Sequence, residues 1–183
     1  MDGVSYPAPY TFDWEAGSVH TISVVSPQDG PPGTRYVFYS WSDGGAPEHQ
    51  IKVASVSDIY TANFTTQYSL TTGASPAGGG MVSPSGTNRY DSGQSVSISA
   101  AASVEYIFWQ WLWHLSGSAN PTFLIMNGPK SVTGQFVAIP ETITVPNTPD
   151  GPTSGGAGSS YTFSTGGSVS NLGQGHSPEY RFD

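Results

Sequence analysis

The chain contains no cysteine among its 183 residues, so disulfide frameworks, thiolate metal sites and cysteine nucleophiles are excluded. Charge is scarce as well: 10% of residues are charged, where a soluble domain commonly carries about a quarter. Basic residues are the rarest of these, with five Lys plus Arg against thirteen Asp plus Glu and a formal net charge of −8. Phosphate backbones and anionic lipid would be repelled, which excludes nucleic acid as a partner class. Met1-Asp2-Gly3-Val4 has neither the basic nor the apolar character of a leader, and the richest apolar stretch, Tyr106 to Leu115, is about half a membrane span and is interrupted by Gln110. No membrane span is therefore predicted. Nor does any segment carry apolar residues at three-to-four spacing over about ten residues free of Gly and Pro, as a helix would require.

Aromatics (13%), 23 Gly and 15 Pro fill the space that charge leaves. The apolar segments are short, rich in Val, Ile, Thr, Tyr and Phe, and bounded by turn residues, as in His20-Thr-Ile-Ser-Val-Val25 and Gln94-Ser-Val-Ser-Ile-Ser99. These are strands, and the predicted fold class is all-β. The composition is that of extracellular β-modules.

An internal repeat sets the organisation. Tyr36-Val-Phe-Tyr-Ser-Trp41 returns seventy residues on as Tyr106-Ile-Phe-Trp-Gln-Trp111, and Tyr60-Thr-Ala-Asn-Phe64 is answered by Ser131-Val-Thr-Gly-Gln-Phe136. Phe12-Asp13 with Gly17 corresponds to Tyr90-Asp91 with Gly93. Two tandem modules are predicted, over 1–67 and 68–138. The second opens with Tyr68-Ser-Leu-Thr-Thr72, a strand without a counterpart in the first, so module one is expected to be incomplete at its N-terminus. Over 139–183 a turn-rich linker, Pro146-Asn-Thr-Pro-Asp-Gly-Pro152, leads to predicted strands Ser160-Tyr-Thr-Phe163 and Glu179-Tyr-Arg-Phe182, a partial β-sandwich tail too small to close a core alone.

Ser75-Pro-Ala-Gly-Gly-Gly-Met-Val-Ser-Pro-Ser-Gly86, Tyr90-Asp-Ser-Gly93, Tyr106-Ile-Phe108 with Trp111, and Met126-Asn-Gly-Pro-Lys-Ser-Val-Thr-Gly-Gln-Phe136 resemble the bacterial surface repeat related to the internalin B-repeat. The tail resembles the opening of a polycystic-kidney-disease-type immunoglobulin-like domain. The first resemblance implies β-grasp-like repeats in secreted or cell-surface bacterial proteins, serving adhesion or spacing without catalysis.

Module two departs from that pattern in one place. The repeat is expected to continue from its aromatic strand into a small polar turn, which module one keeps as Ser42-Asp43-Gly44-Gly45. Module two instead runs Trp109-Gln110-Trp111-Leu112-Trp113-His114. Trp111 aligns with Trp41 and is assigned to the core. Trp109, Leu112, Trp113 and His114 have no core counterpart, and with Phe123 and Leu124 at the start of the next strand they form the candidate binding surface, natural or engineered. Simple alternation would set the three tryptophans on one face, whereas a bulge near Gln110 would split them. Glu105 stands where the repeat commonly carries Gly.

Other chemistry finds no support. His20, His49, His114 and His176 lack metal-ligand spacing, no Gly-x-Ser-x-Gly elbow occurs, and Gly78-Gly79-Gly80 lacks the Lys-Ser/Thr of a phosphate loop. No metal or cofactor is expected, and no enzyme activity. The expected partner is a protein or a carbohydrate that receives the indoles. The alternatives are a spacer or assembly subunit pairing strand edges with neighbouring chains through Tyr161, Phe163, Tyr180 and Phe182, or a carbohydrate-binding accessory region of a secreted enzyme.

Overall fold

Alternating apolar and small polar residues give strands throughout. The computed structural model describes residues 1–145, 147–148, 150–160, 162 and 166–167, and among them it contains eleven strands and no helix. In order these are β1 (Val19–Ser23), β2 (Gln28–Asp29), β3 (Thr34–Trp41), β4 (Glu48–Lys52), β5 (Ala62–Ser75), β6 (Gly80–Ser83), β7 (Gly86–Asp91), β8 (Ser95–Ala102), β9 (Tyr106–Trp113), β10 (Thr122–Ile125) and β11 (Lys130–Ala138). The all-β expectation is met.

The C-terminal half is a two-layer sandwich. One layer runs β7, β5, β11, β9, with β5 and β11 parallel and the other pairs antiparallel; the other layer runs β10, β8, β6. Period-two alternation turns Val96 and Ile98 of β8 and Val132, Gly134 and Phe136 of β11 inward, with serines and threonines outward. Leu70, Val82, Val96, Ile98, Trp111, Leu124, Met126, Val132 and Phe136 close the core between the layers. Each fully buried aliphatic side chain there contributes about 1.5–3 kcal/mol of transfer free energy.

The N-terminal half repeats part of this arrangement. β1 pairs with β4 as β8 pairs with β10, and β3 pairs with β5 as β9 pairs with β11. Its buried core is smaller: Ile22, Trp41 and Ile51, with Met1, Trp14, Phe38 and Tyr60 packed partly against them. The two halves share β5. Its first part pairs with β3 and its second with β11 and β7, so position 67/68 falls inside a continuous strand.

Equivalent turns in the two halves differ in their fitness for the backbone. Pro31-Pro32-Gly33-Thr34 leads into β3, closed by Thr34 N–H to the Pro31 carbonyl at 2.8 Å, with Gly33 at φ +80°. Ser103-Val104-Glu105-Tyr106 leads into β9, closed by Tyr106 N–H to the Ser103 carbonyl at 3.1 Å, with Glu105 at φ +72°. A type II turn demands positive φ at its third residue, which explains the glycine expected at 105. Glu105→Gly is expected to raise stability by about 0.5–1 kcal/mol, read as a higher denaturant midpoint at unchanged slope.

Beyond Ala138 the described residues contain no strand. Asn147 N–H meets the Gly166 carbonyl at 2.7 Å, and Thr144 Oγ1 meets that of Gly167 at 3.2 Å. Tyr161, Phe163, Tyr180 and Phe182 lie outside the described residues, as does all of the chain beyond residue 167.

Candidate functional site

β9 is the outer strand of its layer, and its register on β11 determines where the tryptophans go. Phe108 pairs with Phe136 and Gln110 with Gln135, so Trp109 is an extra residue on β9, a β-bulge. The bulge resets the alternation. Phe108 and Trp111 both turn inward, their rings 4.7 Å apart, while Gln110 donates across the outer face to Gln135 Oε1 at 2.8 Å. Trp111 is 2% exposed, and its Nε1–H donates to the Ala119 carbonyl at 2.8 Å. Trp109 is 55% exposed and borders a shallow open depression of about 280 Å³ lined also by Gln110, Gly117 and Ser118. Leu112, opposite Thr133, is half-buried.

Trp113 ends the strand with φ +78° and an exposure of 78%. A bulky residue in the left-handed region costs about 1–3 kcal/mol, and here the ring recovers none of it by burial. His114 continues the β9–β11 ladder: its N–H donates to the Ser131 carbonyl at 3.2 Å, and the Ser131 N–H reaches its Nδ1 at 3.0 Å. The same Nδ1 lies 3.0 Å from the Ser131 carbonyl oxygen, so the ring sits against both backbone groups of Ser131.

Two members of the expected cluster are elsewhere. Leu124 is 7% exposed and belongs to the core, because it pairs with Val96 on the inner face of β8. It is removed from the binding surface. Phe123, one residue away and therefore on the opposite face, is 68% exposed but lies on the outer side of the β10-β8-β6 layer beside Ser97. The outer faces of the two layers point away from each other, so Phe123 and Trp109 do not form one patch.

The equivalent bulge in β3 falls at Tyr39, which register skips between Phe38 and Ser40 and which is 76% exposed. An exposed aromatic at the bulge is thus common to both halves. The alignment of Tyr39 with Trp109 carried that signal, but it cannot be read until the bulge is known.

Sequence reading also missed an aromatic array in the N-terminal segment. Tyr6, Tyr10 and Phe12 have ring centroids 4.7–4.8 Å apart, Phe12 stacks on Trp14 at 4.6 Å, and Trp14 stacks on His20 at 3.9 Å. The spacing Tyr10-x-Phe12-x-Trp14 was its visible trace. Asp2 Oδ2 lies 2.7 Å from His20 Nδ1, and His20 Nε2 lies 3.0 Å from Ser18 Oγ. This resembles a carboxylate–imidazole–hydroxyl relay, but the Ser18 hydroxyl donates to the Glu15 carbonyl at 2.6 Å. With that proton engaged, the array ties the N-terminal segment to β1.

His49 makes a second such tie. Its Nδ1 faces the Ala46 carbonyl and its Nε2 faces Asp43 Oδ2, each at 2.8 Å, so both nitrogens donate together only as imidazolium. The Asp43 hydrogen bond raises the His49 pKa above 6.5. The Gly45 N–H and then His49 hold Asp43 below 3.8. The imidazolium contribution is complete below 6.5 and is lost as pH rises through the raised value; the carboxylate contribution is present above 3.8 and lost as pH falls through the lowered one. The stability difference between the chain and His49→Gln is expected to peak between these limits and shrink on the alkaline side, as thermal unfolding across the pH range will show.

Among the described residues no group of three or more His, Asp or Glu is positioned for a metal ion, and no helix is long and apolar enough to cross a membrane. Residues 70–140, the sandwich that carries Trp109 and Trp113, match the family model of the divergent InlB B-repeat domain, a family associated with bacterial surface proteins. No curated protein and no solved structure gives a significant match.

Proposed function

We propose that the chain is a non-catalytic binding module of a bacterial surface or secreted protein, with the exposed indoles of β9 as its recognition surface. The observation that carries this reading is Trp113, a bulky residue kept at φ +78° while 78% exposed. Strain at an exposed aromatic that gains no burial in return is a feature of functional sites. Trp109, on its bulge four residues earlier, supplies a second indole, and each ring would bury about 150–250 Å² against a partner. Residues 1–67 act as a second, partial copy of the repeat, presenting Tyr39 at the equivalent bulge. The supports for that copy are the shared bulge, the shared Trp41 and Trp111 core positions and the matching strand pairs.

The partner is a protein or a carbohydrate. The depression beside Trp109 favours a sugar, because a flat indole edged by the Gln110 amide and the Ser118 hydroxyl offers a stacking face together with hydrogen-bonding groups. The test is binding of the full chain to an array of oligosaccharides and extracellular-matrix proteins, repeated with Trp109→Ala and Trp113→Ala. Each substitution is expected to weaken binding by about tenfold or more, equivalent to about 1.4 kcal/mol, as hot-spot indoles do. Unchanged binding by both folded variants would refute the reading.

A further inference from the structure

β11 is enclosed on both edges. β9 lies along one, and the segment Leu70–Ser75 lies parallel along the other, against Lys130–Gln135. The bulge registers align Phe64 with Phe136 and Ala62 with Gly134, because these residues face Phe38 and Phe108, and Trp41 and Trp111, respectively. On that register Asp58–Asn63 corresponds to Lys130–Gln135.

The edges of β5 can be assigned from residues with two partners. Gln67 and Tyr68 pair with both β3 and β7, and Leu70 to Thr72 pair with both β7 and β11. β3 and β11 therefore follow one another along one edge, and β7 takes the other. Thr61 bonds to Ser42 and the Ser69 N–H to Gly33 on the β3 side, whereas the Thr66 carbonyl accepts from Ser92 on the β7 side. Even-numbered residues thus direct their backbone groups to the β7 side. Among the described residues no strand pairs with that edge before Gln67. Among the described residues, none pairs with the backbone groups of Tyr60, Ala62 and Phe64 on that side. Beside it lie Val56 and Ile59, 74% and 80% exposed, and a core with three buried residues where its counterpart has nine.

We infer that the edge at Tyr60–Phe64 is a receptor for one further β-strand, added parallel and of the kind found at Tyr68–Ser75. That kind is fixed by what fills the equivalent edge: an uncharged extended segment that turns Leu70 and Thr72 inward and Ser69, Thr71 and Gly73 outward. Main-chain hydrogen bonds would hold the strand, and an aliphatic side chain at the Leu70 position would complete the smaller core. The inference rests on the register of the two halves and not on the Trp109 surface.

The probe is a synthetic peptide of residues 67–75 added to the full chain, followed by fluorescence anisotropy and by residue-resolved amide hydrogen exchange. Saturable binding is expected, with exchange slowed about tenfold or more at Tyr60, Ala62 and Phe64 and unchanged at Thr61, Asn63 and Thr65, which already face β3. A Leu70→Lys version of the peptide should not bind. Absence of saturable binding, protection along any other edge, or equal binding of the Leu70→Lys peptide would overturn the inference. Protection of the same amides by the chain alone at raised concentration would assign the edge to a second copy and overturn it as well.

Discussion

Trp111→Ala is expected to destabilise the C-terminal sandwich by about 3–5 kcal/mol, the range for removing a large aromatic from a packed core. Three losses combine. The ring is 2% exposed and packs on Phe108; its deletion opens a cavity above Gly134, where an added Cβ would already come within 3.4 Å of the indole. The Ala119 carbonyl loses its donor. The loop that carries Ala119 is held to β9 by little else than the Trp111 backbone bond to Gly117 at 2.8 Å. Trp109→Ala, two residues away, should cost clearly less, about 1 kcal/mol, because just over half of the residue is in water and its removal opens no enclosed cavity. Urea titration of both variants checks the pair. Equal losses would contradict the assigned bulge, which alone separates a core indole from a surface one at this spacing.

Gly33→Ala is expected to cost about 2–4 kcal/mol, from left-handed strain of about 1–2 kcal/mol and a comparable overpacking term. Gly33 has φ +80°, and a Cβ there would lie 2.7 Å from Ser69 Oγ and 2.8 Å from Pro129 Cβ. Ser69 lies in the shared strand and Pro129 immediately precedes β11, so the clash falls at the junction of the two halves. Its counterpart, Glu105→Gly, changes the equivalent turn in the opposite direction. A loss of less than 1 kcal/mol, measured by thermal and urea unfolding, would show that the junction can yield.

The recurrence of Tyr36–Trp41 as Tyr106–Trp111 is visible in the sequence because both segments carry large aromatics seventy residues apart, and both are strands. Trp41 and Trp111 sit at matching depths, and Ile22 and Ile98 are both fully buried. Glu105 stands where the repeat commonly carries Gly, and its φ of +72° gives the reason for that glycine. The bulges were harder to place: a one-residue insertion into a ladder has no side-chain signature of its own, so the alternation Trp109-x-Trp111-x-Trp113 left two arrangements open. Leu124 was misplaced for a related reason. Phe123 and Leu124 are adjacent and both apolar, and only the pairing of β10 with β8 decides which of them turns inward. The Tyr6 to Trp14 array went unread because no strand frames it; it is built by ring stacking over irregular backbone.

Trp109 and Trp113 are proposed to meet a partner, while Trp41 and Trp111 are buried in the two cores. This division of roles is read out by fluorine NMR of the chain with all five tryptophans fluorinated, titrated with the component that binds most tightly on the oligosaccharide and matrix-protein array. The Trp109 and Trp113 resonances are expected to shift in proportion to bound fraction, and those of Trp41 and Trp111 to stay in place. Saturated binding with the Trp109 and Trp113 resonances unmoved would contradict it.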